Sequence, residues 1–431
     1  MSNEERIKRR IARSKEKRRI KHLKNQAIYG NFDSIITMQN YYDALKKCLK
    51  GVHWKPSVQK YEQHGIINIY ETVATVSQCK IPPLKWAKRI VLYERGKRRE
   101  IVPIVIGDRI TQRVICDNSL VPMIKDKLIY DNGASTKGKG VHFARNRLQA
   151  HLNEAARKWK DDFWILVFDF KNFFGSIPHK TCKDILEKLY DDKRIVQLIM
   201  DIVLSYHIPH NKSKNKQLIE SLKRFEGEGI CLGSQISQIL ALVVPNQLDH
   251  YVKDKMSVRN YMRYMDDGVI FSNDKTFLIK LYEGMKDICK KLGLTFNEKK
   301  TRIVKATKGF TFMKVKYRVS NGIIIKKLAR AGIVRMRRKL KRFYKLVQKG
   351  KMNLDDVYNS IQSWFTHSKI AHSYKTVKSI MKLYNELFDG YKLTNKWKHM
   401  EGSGKYALLQ VDKWQEYYWD SNSTRICKIP A

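Results

Sequence analysis

The sequence predicts an α+β fold, and three stretches predict it. Tyr261-Met262-Arg263 and Gly268-Val269-Ile270-Phe271 are apolar, β-prone runs around Tyr264-Met265-Asp266-Asp267, which places two carboxylates at the tip of a tight hairpin. Phe163 through Phe168 is a continuous apolar run ending in Asp169, the pattern of a buried strand that delivers a carboxylate at its end. Phe277, Leu278, Leu281, Met285, Ile288 and Leu292 recur at helical spacing, giving an amphipathic helix over 275–292.

The length of 431 residues allows two or three subdomains with a substantial core, and 43% hydrophobic residues make the chain globular. Lys and Arg total 86 against 41 Asp and Glu, a net charge of +45. An excess of that size implies a polyanionic partner, with nucleic acid the leading candidate. There is no run of 18 apolar residues and no apolar segment behind the basic N-terminus, so no membrane partner is expected and the protein is placed in the cytoplasm. Cys48, Cys79, Cys116, Cys182, Cys231, Cys289 and Cys427 are scattered without Cys-x-x-Cys spacing, which predicts reduced thiols and no zinc site.

Along the chain, residues 1–27 form a basic, helix-prone arm containing Arg9 and Arg10, expected to order on RNA or DNA. Residues 28–160 begin with Tyr-rich helices. Arg89-Ile90-Val91-Leu92-Tyr93 and Glu100-Ile101-Val102-Pro103-Ile104 then flank a polar turn, giving a hairpin that carries Lys97, Arg98 and Arg99. The loop Asp131 to Gly140 is rich in glycine and lysine and leads into a helix with Arg145 and Arg147; glycines let backbone approach phosphates closely. Helices with loops fill about 180–225, and Phe310 to Tyr317 alternates as one half-buried strand. Ile333, Met336, Leu340, Phe343 and Val347 form the apolar stripe of a helix whose remaining face holds Arg335, Arg338 and Arg342. Two further helices, about 354–367 and 371–388, complete a three-helix unit, and residues 391–431 are an aromatic extension.

An Asp-Asp pair is by itself as readily a turn as a site, because Asp is favoured in turns. Two adjacent carboxylates plus Asp169 cannot all be desolvated without a compensating cation, however, and a divalent ion is the natural partner. One carboxylate at a strand end and two at a hairpin tip are the parts of a two-metal nucleotidyl-transfer site.

These residues, in this order, resemble the reverse transcriptases, in particular prokaryotic ones outside the viral lineage, over about residues 30–390. Phe168-Asp169-Phe170-Lys171-Asn172-Phe173-Phe174-Gly175-Ser176-Ile177 is similar to the first catalytic motif, with Phe174 in the place of the aromatic gate that rejects a ribose 2′-hydroxyl. Gly229 to Gln238 resembles the motif that supports template and incoming nucleotide, which implies substrate roles for Gly233, Ser234 and Gln238. Its Leu-Gly-x-x-x-Ser-Gln form departs from the Gln-Gly-x-x-x-Ser-Pro of group II intron enzymes and is similar to diversity-generating retroelement, Abi-like and unclassified defence-linked groups. Asn297-Glu298-Lys299-Lys300-Thr301 resembles the palm motif whose lysine protonates the pyrophosphate, here Lys300. Phe312-Met313-Lys314 is similar to the primer grip, and Arg99 with Lys97 to the residues that grip the triphosphate.

The resemblance implies a right-hand polymerase fold: fingers with an N-terminal extension over 28–160, palm over 161–318, and helical thumb over 319–390. It implies two Mg²⁺ ions (Mn²⁺ as a substitute) on Asp169, Asp266 and Asp267, dNTPs as substrates, a structured non-coding RNA as template and a DNA product. Arg335, Arg338 and Arg342, with Arg9 and Arg10, are the expected nucleic-acid contacts. No RNase H or endonuclease domain is expected, and the retron signatures Asn-Ala-x-x-His and Val-Thr-Gly are missing, with Ser320-Asn321-Gly322 at the latter's place. The leading role is antiphage defence. A diversity-generating retroelement is the alternative, and a non-catalytic basic RNA-binding protein is the competing class.

Overall fold

Helices alternate with antiparallel strands through the residues that the computed structural model describes, namely 3–80, 90–94, 97–101, 103–206 and 224–388. The aromatic extension expected over 391–431 lies outside these residues. Strands β1 (Ile90–Glu94) and β2 (Lys97–Ile101) pair alone; β3 (Trp164–Asp169), β4 (Tyr261–Tyr264), β5 (Asp267–Ser272) and β6 (Arg302–Lys305) make a sheet of order β4-β5-β3-β6; β7 (Phe310–Phe312), β8 (Val315–Ser320) and β9 (Ile323–Leu328) form a meander. The fold is α+β, as the sequence predicts.

The described residues divide into two units. The first takes in Met1–His151, Leu166–Ile270 and Lys275–Arg302. Its helix Met38–Leu49 is capped by the Thr37 side chain and buries Tyr41, Ala44, Leu45 and Cys48, which fall three and four apart on one face. The basic arm is helical over Asn3–Tyr29. Its C-terminal end is tied down: Lys21 pairs with Asp126 at 2.8 Å, Gln26 Nε2 donates to the Leu189 carbonyl at 2.8 Å, and Ser119 Oγ donates to the Tyr29 carbonyl at 2.7 Å. These three contacts fasten the end of the arm to the rest of its unit.

The second unit takes in Leu152–Ile165, Phe271–Asp274 and the described residues from Ile303 onward. Phe310 to Tyr317 is two strands rather than the single strand expected: Met313 and Lys314 take φ of +46° and +68°, and Phe312 pairs with Val315 across them. The two-residue loop shifts the phase of the alternation, from Phe310 and Phe312 to Val315 and Tyr317, so that facing side chains share a face. Asn321 and Gly322 turn β8 into β9, and Asp161 accepts from both their amides at 2.8 and 2.7 Å. Helices Arg330–Gln348, Leu354–Ser368 and Tyr374–Phe388 share a core that includes Met336, Leu340, Phe343, Ile361, Ile380 and Phe388.

Candidate active site

Tyr264 pairs with Asp267 across a two-residue turn, so Asp266 lies in the turn and Asp267 opens β5. Met265, the other turn residue, sits at φ +54°. Asp169 ends β3, and its neighbour Phe170 donates its amide to the Asp266 carbonyl at 3.3 Å. Gly268 must be glycine: a Cβ there would lie 2.1 Å from Cζ of the Phe168 ring. That ring is fully buried and meets Phe296 edge-on at 5.3 Å, so β3 and β5 are held in contact one residue away from the carboxylates.

Asn297 fastens the far side of Asp169. Its amide donates to the Asp169 carbonyl at 2.7 Å and its Nδ2 to Oδ1 at 3.3 Å, while Lys300 Nζ donates to Oδ2 at 2.5 Å. Burial pushes the Asp267 carboxyl up to about 7, helped by the charges of Asp266 and Asp169 and opposed by Lys300. Asp266 is raised by burial and by Asp169, with Lys300 and Arg99 pulling the other way. Burial lowers the Lys300 ammonium, but its hydrogen bond to Asp169 and the surrounding carboxylates more than offset that and raise it.

The donor set of three carboxylates suits a hard cation such as Mg²⁺ or Mn²⁺. Among the described residues no three or more His, Cys, Asp or Glu side chains form a preformed metal cage. The Lys300 ammonium is hydrogen-bonded to Oδ2 of Asp169. The donors therefore fit the ions in chemistry, with one ligand paired to an internal cation.

Behind the turn lies a feature that the sequence reading missed. Arg263 and Asp249 have wholly buried side chains and pair through two bonds, Nε to Oδ1 at 2.8 Å and Nη2 to Oδ2 at 2.7 Å. The same guanidinium donates to the Leu242 carbonyl at 3.0 Å and to the Met265 carbonyl at 2.8 Å. Tyr261 completes Asp249 at 2.6 Å. An arginine inside an apolar strand run was the available signal. A second buried group, Asp131, accepts from Arg147, Lys253 and His151 at 2.7, 2.8 and 3.0 Å. Burial raises its carboxyl, but these hydrogen bonds outweigh that and hold it well below the usual range. The backbone of Asp131 and Gly133 bonds to Arg263 at 3.2 and 2.9 Å, so the start of the glycine-rich loop clips the edge of β4.

The remaining expected residues are placed as follows. Phe174 is half-buried, edge-on to the buried Phe173 at 5.6 Å, and its carbonyl accepts from Ile230 at 2.8 Å. Gly233, at φ +111°, and Gln238 are exposed. Ser234 is buried; its hydroxyl accepts from the Ser237 amide at 3.2 Å and donates to Gln112 at 2.9 Å, so it caps helix Gln235–Val243. Arg99 stands on β2, 3.3 Å from Glu94; the side chain of Lys97 lies outside the described residues. Arg9, Arg10, Arg335, Arg338 and Arg342 are all exposed. No helix among the described residues is long and apolar enough to cross a membrane.

Residues 93–317 match the family model described as "Reverse transcriptase (RNA-dependent DNA polymerase)", and the chain belongs to that family. The matched segment holds the three aspartates, Phe174 and Lys300, and the right-hand polymerase fold comes with it. Similar curated proteins include the "Putative COX1/OXI3 intron 1 protein" of Saccharomyces cerevisiae, 24% identical over 48% of this chain and 29% of its own length. The "Uncharacterized 91 kDa protein in cob intron" of Schizosaccharomyces pombe is 27% identical over 38% of this chain and 18% of its own length. Protein YkfC of Escherichia coli is 21% identical over 54% of this chain and 66% of its own length. The chain thus spans less than a third of the first two. Among solved structures, a Candida albicans telomerase in complex with a telomeric RNA fragment is similar at a TM-score of 0.41, 14% identity, 82% of this chain and 63% of that one.

Proposed function

We propose that this chain is an RNA-directed DNA polymerase that copies a dedicated, structured non-coding RNA in bacterial antiphage defence. The observation that carries the polymerase reading is that Asp169 closes β3 and Asp267 opens the neighbouring β5, with Asp266 in the turn before it, inside the family-matched segment. These carboxylates would hold two Mg²⁺ ions, which when bound acidify the primer 3′-hydroxyl and stabilise the displacement at the α-phosphate. Phe174 excludes a ribose 2′-hydroxyl by bulk. Arg99 and Lys97 take the triphosphate, Gly233 and Gln238 line the nucleotide, and Lys300 gives a proton to the leaving pyrophosphate. Arg335, Arg338 and Arg342 follow the duplex backbone, while Arg9 and Arg10 hold the RNA outside it.

Primer extension on an RNA template with dNTPs and Mg²⁺ tests the reading. Incorporation that disappears in the Asp266→Ala, Asp267→Ala double variant supports it; incorporation that survives there overturns the assignment of the chemistry to these aspartates, and incorporation absent from the parent leaves the non-catalytic RNA-binding alternative. The Leu-Gly-x-x-x-Ser-Gln motif is shared with diversity-generating retroelement enzymes, which keeps that role as the second reading. Sequencing the RNA that copurifies separates the two: a variable-repeat template would replace the defence role.

A further inference from the structure

Gln112 is a polar side chain buried to 2% exposure in helix Ile106–Ile115, among Ile110, Val114 and Ile115. Its amide is fully engaged. Oε1 accepts from Ser234 Oγ at 2.9 Å and from the Gln235 amide at 3.1 Å, and Nε2 donates to the Tyr206 hydroxyl at 2.5 Å. Ser234 in turn accepts from the Ser237 amide at 3.2 Å. The first amides of helix Gln235–Val243 have no partner within their own helix, and Gln112 with Ser234 satisfies two of them.

This helix start carries the Leu-Gly-x-x-x-Ser-Gln motif, and the loop entering it, Gly229–Gly233, also bonds to the Phe174 carbonyl through Ile230. Gly233, at φ +111°, has no side chain with which to brace that turn. One buried amide therefore secures the segment that joins the candidate sugar gate to the candidate nucleotide platform. We propose that Gln112 is a positioning residue for nucleotide selection, acting through Ser234 and the start of helix Gln235–Val243. The inference rests on the polymerase reading given above and adds a residue to it.

A role in positioning the nucleotide separates from a role in stability by kinetics. In Gln112→Leu, of similar size but without the amide, the KM for dNTP is expected to rise about tenfold, the scale set by losing buried hydrogen bonds. Discrimination of dNTP against rNTP should fall in parallel, with kcat within about threefold of the parent by the same conversion. Ser234→Ala attacks the same chain from the other end, so it should raise KM in the same sense, and the double variant should be no worse than the larger single effect. If Gln112→Leu does not fold, Ser234→Ala decides. A KM and sugar discrimination equal to the parent's, with loss confined to the melting temperature or kcat, overturns the inference. A parent with no dNTP incorporation overturns the polymerase reading instead.

Discussion

Lys300 sets its ammonium 2.5 Å from Oδ2 of Asp169, with half of the lysine side chain still in solvent and the carboxylate almost wholly buried. The pair is therefore a cation lent to the site by the chain itself. Because one partner is exposed, it is worth no more than about 1 kcal/mol. Lys300→Ala is expected to bind Mn²⁺ up to about fivefold more tightly, the equivalent of that energy. It should also slow incorporation by about 100-fold if the lysine serves as the acid. Mn²⁺ titration followed by electron paramagnetic resonance, alongside single-turnover extension, reads the two effects; weaker Mn²⁺ binding would contradict the first.

Arg263 and Asp249 form a pair that can be broken or replaced. Arg263→Ala leaves Asp249 buried and uncompensated, which should cost about 3–5 kcal/mol of stability in urea unfolding. Replacing both partners with apolar residues, as Arg263→Met with Asp249→Leu, should recover most of that stability. It should not recover polymerisation, because the Met265 carbonyl has lost its donor at the turn. Full activity in the double variant would show that the turn holds its shape unaided.

The fit of Gly268 under the Phe168 ring predicts that Gly268→Ala destabilises by about 1–3 kcal/mol, the usual effect of overpacking. Phe168→Leu in the same chain should relieve part of it by vacating the space that the added methyl needs. Thermal melts of the single and double variants check this; additive losses would mean that the two residues do not share that space.

Asp108, at the start of helix Ile106–Ile115, lines a cavity of about 860 Å³, and burial pushes its carboxyl up to about 7. The folded chain thus keeps a proton that the unfolded chain releases near its ordinary value of about 3.9. Stability from this group is lost as pH rises from about 4 through about 7. Asp108→Asn should melt above the parent at pH 8 and level with it at pH 4. Parallel melting curves across that range would count against the assignment.

How much of this was legible in the sequence depends on the range of the interactions. The aspartates were readable because each sits where a local pattern ends: a run of apolar residues before Asp169, two β-prone runs around Asp266 and Asp267. The helix Arg330–Gln348 was readable for the same reason, since Met336, Leu340 and Phe343 repeat at helical spacing. Gln112 and Asp249 were not, because their partners lie 12 to 123 residues away and no local periodicity marks them, and Arg263 showed only as a charge within an apolar run. The break at Met313-Lys314 left a trace, because the apolar positions step by three between Phe312 and Val315, but neither turn residue is a glycine or proline to mark it. The capping role of Ser234 was hidden for a related reason: its partner Gln112 lies 122 residues away.

Arg335, Arg338 and Arg342 are exposed on the helix whose other face holds the bundle core. If each meets a backbone phosphate, the triple alanine variant should lower the slope of log affinity against log salt by about 2–3 for a template-primer duplex. The KM for dNTP should be unchanged. Binding isotherms at several salt concentrations test this, and an unaltered slope would place the duplex elsewhere.

The pairing of Tyr264 with Asp267 across only Met265 and Asp266 has a consequence for how this chain can vary. Side chains of a strand alternate between faces, so an added turn residue that slipped the pairing by one would send every later side chain of β5 to the opposite side. Asp267 would leave the carboxylates, and Gly268 would no longer lie beneath the Phe168 ring. The hairpin can tolerate exchanges of Met265 far more readily than any change in length. For a designer or for natural drift, the count of residues in this turn is a harder constraint than their identity.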